Sequence, residues 1–378
     1  MSSARAPKTG RRGDRSPATN SRRVALTRDK LPLYSASVEA YARAAPATAP
    51  RVATLARVTQ LVQPHLNEVD ARITQQAAAF DPAIEGYVSY ALGGRGKRLR
   101  PLTALLAGGA TGAINSGHVD LAVIVELIHL ATLVHDDIMD EADRRRAQPT
   151  VNARWGNSLS VLLGDCLFAH ALNLSANFEQ AEISRAIART ASRVCSGEMI
   201  QTQRRFDLKL RVTDYLRIVE MKTGSLFATA AELGATISGA ETAVIQILRQ
   251  FGMGIGTAYQ IYDDCLDLAG SEAATGKTLG TDLRKGKFTL PVLIFLQAAS
   301  EFERERCSTL IVEGRSDEVT ELLKNGATNG ALNSSIATGI DLIREAQATL
   351  ASLPPNPYAD ALLDLGEALA EMLDQLRV

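Results

Sequence analysis

Two short acidic clusters with the same internal spacing lie inside otherwise apolar stretches of this 378-residue chain: DDIMD at residues 136–140 and DDCLD at residues 263–267. On a helix, positions i and i+4 share a face, so Asp136 with Asp140, and Asp263 with Asp267, each form a two-carboxylate edge, with Asp137 and Asp264 beside them. At an effective dielectric of about 20, two carboxylates roughly 6 Å apart repel by about 3 kcal/mol. A cation removes that cost. Oxygen-only donors with no adjacent His or Cys select a hard divalent ion, and magnesium in particular favours one or two carboxylates plus substrate phosphates. The repeat therefore constrains the chain to long helices that carry metal-binding carboxylates at their ends.

Composition agrees with helices. Hydrophobic residues make up 46 % and aromatics only 5 %, with Ala and Leu abundant, which favours a helical interior over a sheet-rich one. The formal charge of -1 hides an asymmetry: residues 1–30 hold nine of the 41 Lys/Arg and two of the 42 Asp/Glu, leaving 32 basic and 40 acidic residues, net -8, in the rest. Residues 1–50 read as a disordered basic and then Ala-rich tail, and 51–378 as one all-helical domain. An Arg-rich, acid-poor N-terminus also occurs in organelle transit peptides, but an apolar-periodic face is missing here. The four cysteines, Cys166, Cys195, Cys265 and Cys307, are isolated, which suggests neither a disulfide framework nor a zinc knuckle and fits a reducing, cytoplasmic setting. The longest apolar run, residues 121–134, is broken by Glu126 and His129 and is too short to span a bilayer, so the chain reads as soluble.

The helical period predicts long helices over residues 121–139, 213–238 and 244–268, the first and last ending in the acidic clusters. Negative charge at a helix C-terminus opposes the macrodipole and again points to a bound cation. Short loops between such apolar helices imply a bundle. Basic residues recur near the acids. GRGKRLRP at residues 94–101 packs Arg95, Lys97, Arg98 and Arg100 beside two glycines, and Arg144, Arg145 and Arg146 follow the first cluster closely. Lys and Arg with close backbone approach suit a phosphate. Taken singly, each has a plain structural reading: a basic loop is a solvated surface, His129 a core histidine, Lys222 a snorkelling lysine, and Lys277 and Lys287 ordinary loop lysines. No nucleotide-binding glycine loop and no nucleophile triad is suggested, and nothing points to nucleic acid.

In combination the segments resemble the trans-isoprenyl diphosphate synthases, the family that includes farnesyl, geranylgeranyl, octaprenyl and solanesyl diphosphate synthases. The match runs through GKRLRP (96–101), ELIHLATLVHDDIMD (126–140), Arg145-Arg146 with Pro149-Thr150, Trp155-Gly156, LLGD (162–165) and GEMIQ (197–201). It continues through KTGSLF (222–227), YQIYDDCLD (259–267) and GKTLGTDLRKGKFTLP (276–291), covering residues 85–295 or so. Two departures stand out: Ala147 where Gly is usual and Tyr259 where Phe is usual.

The resemblance implies an all-α isoprenoid-synthase bundle around a central apolar cavity, acting as a homodimer. It implies about three magnesium ions between the clusters, with Asp136, Asp140 and Asp263 the direct ligands and Asp137, Asp264 and Asp267 completing the metal-binding set. An allylic diphosphate would be met by Arg145, Lys222, Thr223, Gln260, Lys277 and Lys287, and isopentenyl diphosphate by Lys97, Arg100, His129 and Arg146. Thr132 lies one turn before Asp136, roughly 6 Å deeper, and Ala131 about 7.5 Å. In this family a large aromatic there stops elongation, so small residues suggest a long product, about thirty carbons or more, of the kind used in quinone side chains, with peripheral membrane contact for its release. The competing expectations are a shorter-chain synthase making geranylgeranyl or farnesyl diphosphate, a non-catalytic subunit of a heteromeric synthase and a terpene cyclase. The last two sit poorly with intact acidic clusters and an intact basic loop.

Overall fold

Ala- and Leu-rich segments coil into helices along nearly the whole computed structural model, which describes residues 49–94, 96–145, 148–269, 280–315, 318–319 and 328–377. Residues 1–48 of the expected N-terminal tail, together with Arg95, Arg146, Ala147 and Lys277, lie outside the described residues. In chain order the helices are α1 (Ala49–Leu61), α2 (Gln63–Gln75), α3 (Glu85–Leu92), α4 (Leu99–Thr111), α5 (Ser116–Met139), α6 (Val151–Trp155), α7 (Asn157–Ser175) and α8 (Ala181–Gln203). They continue with α9 (Val212–Val219), α10 (Ser225–Ile237), α11 (Thr242–Ala269), α12 (Thr281–Arg284), α13 (Leu290–Ala298), α14 (Glu301–Val312), α15 (Thr328–Thr349) and α16 (Pro357–Asp374). A two-stranded antiparallel ribbon, β1 (Arg144–Arg145) on β2 (Gln148–Pro149), pairs Arg145 with Gln148.

The described residues form one compact unit whose centre is α10. It packs on α4, α5, α8 and α11, and its sequence, SLFATAAELGATI, is small enough for close contact on several sides. A Cβ on Gly234 would lie 2.4 Å from the Ala104 carbonyl oxygen of α4, and one on Gly252 would lie 2.5 Å from the Phe227 carbonyl oxygen of α10. Side chains there would force the helices apart.

Helix α5 begins five residues before its apolar run because Asn115 caps it, accepting from the Gly117 N–H at 2.9 Å, while the Asn115 N–H donates to Nδ1 of buried His118 at 3.1 Å. Thus the run read as too short for a bilayer belongs to a 24-residue helix that is long and apolar enough to cross one by length and composition, as is α7. Burial separates them: 72 % of the apolar window of α5 lies inside the bundle, against 33 % for α7. Helix α5 is a core helix. On α7, Val161, Leu162 and Leu172 are exposed, as is Met199 on α8.

The helix expected over 213–238 is present but not uniform. Residues Glu220–Gly224 form a π turn between α9 and α10, where Gly197 of α8 comes so close that a Cβ would lie 2.8 Å from the Lys222 backbone nitrogen. Such wide turns re-aim the side chains they carry, here Lys222 and Thr223.

Candidate active site

The first cluster closes α5, with Asp140 as its C-cap. Its three carboxylates have different partners. Asp137 is buried and grips Arg145, which β1 turns back over the helix, at 2.7 Å from Nη2 and 2.9 Å from Nε. Asp136 faces the Lys222 ammonium at 3.8 Å. Asp140 accepts from Lys287 Nζ at 2.7 and 3.0 Å and from Arg205 Nη2 at 3.3 Å. Burial pushes Asp136 above the usual carboxylate range, against the pull of Lys222. Burial would push Asp140 the same way, but Lys287, Lys285 and Lys222 bring it below that range.

The second cluster lies in the last turns of α11 and is held by neutral donors. Asp264 accepts 2.5 Å from the buried Tyr215 hydroxyl and 2.8 Å from Gln260 Nε2, and Gln260 Oε1 accepts 2.8 Å from Thr223 Oγ1. Asp267 accepts from Thr281 Oγ1 at 3.1 Å and from the Asp282 N–H at 3.2 Å. Burial, together with Asp282, pushes Asp264 up to about 8, while burial and Asp267 raise Asp282 to about 6. Asp137 and Asp264, expected among the metal ligands, thus have protein partners on both oxygens: Arg145 for one, Tyr215 and Gln260 for the other.

A cavity of about 50 Å³ lies beside Asp264 of the second cluster, lined by Gln201, Lys222, Gln260, Asp264, Asp282 and Lys287 among others. Lys222 and Lys287 line it and pair with Asp136 and Asp140 of the first cluster, at 3.8 and 2.7 Å, so the two lysines link that cluster to the cavity. Lys222 also pairs with Glu198 and donates 3.1 Å to Gln201 Oε1; burial works against its charge, but Asp136 and Glu198 hold its pKa above the usual lysine value.

The basic loop before α4 divides its labour. Arg98 adopts a left-handed backbone (φ 50°) and turns inward, donating 2.8 Å to Asp70 and 2.5 Å to buried Glu126, so it anchors the loop. Lys97 lies 5.5 Å from the Tyr259 ring centre and 5.8 Å from that of Tyr262, and Arg100 stacks at 4.7 Å on Phe227. Burial lowers the pKa of Arg100, and its Nε has no hydrogen-bond partner among the described residues. A buried guanidinium N–H without a partner is costly and calls for an anion. His129 is half-buried on α5, and Ala131, toward the bundle interior, is fully buried; Thr132 Oγ1 donates 2.7 Å to the His129 carbonyl.

No three His, Cys, Asp or Glu side chains among the described residues gather into a cage for an ion. The donors are hard carboxylate oxygens on two walls with ammonium groups between, which fits magnesium held by one or two carboxylates and a diphosphate rather than an all-protein site. Glu198, Gln201, Arg205, Tyr215 and Asp282 belong to this site and were not picked out from sequence. Glu198 and Gln201 sit three apart within GEMIQ, a spacing that places both on one helix face. Tyr215 carried no such signal.

Two acidic helix ends, with lysines paired to the first of them, sit in an all-α bundle whose class is shown by its likeness to known proteins. Residues 81–325 match the polyprenyl synthetase family. The chain is 31 % identical over 312 residues to octaprenyl diphosphate synthase of Escherichia coli, covering 82 % of this chain and 97 % of that one. It is 38 % identical over 276 residues to heptaprenyl diphosphate synthase component 2 of Geobacillus stearothermophilus, covering 71 % and 84 %. Among solved structures, a decaprenyl diphosphate synthase from Rhodobacter capsulatus superposes with a TM-score of 0.78 at 33 % identity, over 86 % of this chain and all of that one. The chain belongs to the polyprenyl synthetase family and is a trans-polyprenyl diphosphate synthase.

Proposed function

We propose that this enzyme is magnesium-dependent and condenses an allylic diphosphate with successive isopentenyl diphosphates to give a long all-trans product, about thirty carbons or more. The observation that carries the length is the fully buried Ala131, one turn below Asp136 with half-buried Thr132 beside it: neither is large enough to block a growing chain. The relatives named for octaprenyl and decaprenyl products agree with it, whereas others are named for geranylgeranyl diphosphate.

Asp136, Asp140 and Asp263 would hold the metal, which supplies Lewis-acid stabilisation of charge on the departing diphosphate. Lys222, Lys287 and Arg145 add positive charge where that negative charge develops, so their effect is greatest in the transition state. Thr223 and Gln260 orient this wall, and the allylic diphosphate is the ligand we propose for Lys277 as well. The allylic carbon, left positive, is attacked by the double bond of isopentenyl diphosphate, whose own diphosphate is held by Lys97, Arg100, Arg146 and His129 without metal. Loss of a proton to the released diphosphate completes the cycle. We infer a homodimer in the cytoplasm, using the exposed apolar side chains of α7 and α8, with peripheral membrane contact at product release.

Incubating the purified chain with farnesyl diphosphate and excess isopentenyl diphosphate, then sizing the product by reverse-phase chromatography, tests the reading. Products of about thirty carbons or more support it, and a stop at about twenty would overturn the length assignment.

A further inference from the structure

Phe206 has a left-handed backbone (φ 59°), an uncommon state for a bulky side chain, yet its ring is 56 % exposed. Core burial does not account for it, and a glycine would end α8 at lower cost. What the conformation achieves is a contact. The Phe206 N–H donates 2.8 Å to the Gly286 carbonyl, and the ring lies on Gly286 so closely that a Cβ there would come within 2.6 Å of it. Gly286 is itself left-handed (φ 70°) and immediately precedes Lys287.

The residue before Phe206 completes the arrangement. Arg205 Nη2 reaches Asp140 Oδ1 at 3.3 Å and the Met139 carbonyl at 3.4 Å, while Lys287 holds the same carboxylate at 2.7 Å. Arg205 Nε is buried with no hydrogen-bond partner among the described residues, so the guanidinium is only partly used by these contacts. Three segments far apart in sequence are thereby tied: the end of α5, the turn after α8 and the turn before α13.

We propose that Arg205 is a positioning residue for the Asp140 and Lys287 pair, held in place by Phe206 clamped on Gly286. The inference rests on the proposed diphosphate chemistry, in which Lys287 exchanges Asp140 for a phosphate oxygen. Arg205 then keeps Asp140 in place while the lysine turns away. A charge-retaining lysine at 205 should keep part of this function, and a methionine none.

The test uses the full chain with Arg205→Met, Arg205→Lys and Phe206→Gly, the last chosen because glycine accepts the left-handed backbone and keeps the fold. Arg205→Met and Phe206→Gly should each lower kcat/KM for the allylic diphosphate about 10-fold, leave KM for isopentenyl diphosphate within about twofold, and combine less than multiplicatively; Arg205→Lys should recover part of the loss. Limited trypsin digestion reads the clamp without any activity: cleavage after Arg205, Lys285 and Lys287 should be about 10-fold faster in Phe206→Gly than in wild type. Wild-type kinetics or wild-type cleavage in Phe206→Gly, or equal changes in both KM values, would overturn the proposal. A wild-type chain unable to elongate any allylic diphosphate would overturn the functional reading instead, and the digestion would still decide the clamp.

Discussion

The first acidic cluster is held by cations, whereas Asp264 and Asp267 of the second are held by hydroxyls, an amide and a backbone N–H. Arg145 grips Asp137, Lys222 faces Asp136, and Lys287 and Arg205 meet Asp140. In the second cluster, Asp264 takes Tyr215 and Gln260, and Asp267 takes Thr281 and the Asp282 amide. Identical spacing therefore yields two electrostatic roles. Ammonium and guanidinium groups surround the first cluster, whereas burial and neighbouring carboxylates raise the pKa of Asp264 in the second.

The comparison breaks most visibly at the direct ligands. Asp136→Asn or Asp263→Asn should each cut turnover at least about 10²-fold in initial-rate assays, because the lost interactions count most in the transition state. Near-normal rates in either would remove that residue from the metal set. Next come the inner partners. Arg145→Met strands the Asp137 charge in a buried position and should cost about 3 kcal/mol or more in urea unfolding. Tyr215→Phe removes a neutral donor from Asp264 and should cost about 1–3 kcal/mol. Equal losses would erase the distinction between the walls. Ala131→Phe should leave turnover of the first condensation intact and shorten the product, which chromatography reads directly; unchanged length would misplace the tunnel.

The dependence on pH is a matter of sign. Asp140 lies below 3.8 in the folded protein, so its contribution to stability is present above that value and is lost as pH falls through the depressed one. Asp264, at about 8, and Asp282, at about 6, behave oppositely. The folded protein keeps protons there that the unfolded chain releases near 3.8, so their contribution is full below that pH and is lost as pH rises through about 6 and about 8. Without divalent cations, Tm should therefore fall between about pH 5 and 8.5, and Asp264→Asn should flatten the fall. A flat wild-type profile would contradict the raised values.

Much of this was legible in the sequence, for identifiable reasons. Helical period located α5 and α11, and their acids at i and i+4 announced shared faces. Lys222, Lys287 and Arg145 pair with the first cluster, three residues that only the family resemblance, and no local spacing, had set apart from ordinary surface cations. What escaped depended on contacts between distant segments. Arg98 looks like its neighbours Lys97 and Arg100 in the chain, but a left-handed residue at the start of α4 turns it inward to Asp70 and Glu126. Tyr215 gains its role only when α9 brings it against α11. The π turn at Glu220–Gly224 follows from the close passage of Gly197, which no local propensity records. Burial likewise divided α5 from α7, two helices of similar composition.

The central claim is that the two clusters are opposite walls of one ionising site. A double-variant cycle on turnover at saturating magnesium tests it directly, with Asp136→Asn, Asp263→Asn and both together. If both walls serve the same step, the double variant should lose no more than about threefold beyond the worse single one. Losses that multiply to about 10⁴-fold would show two independent sites and contradict the account.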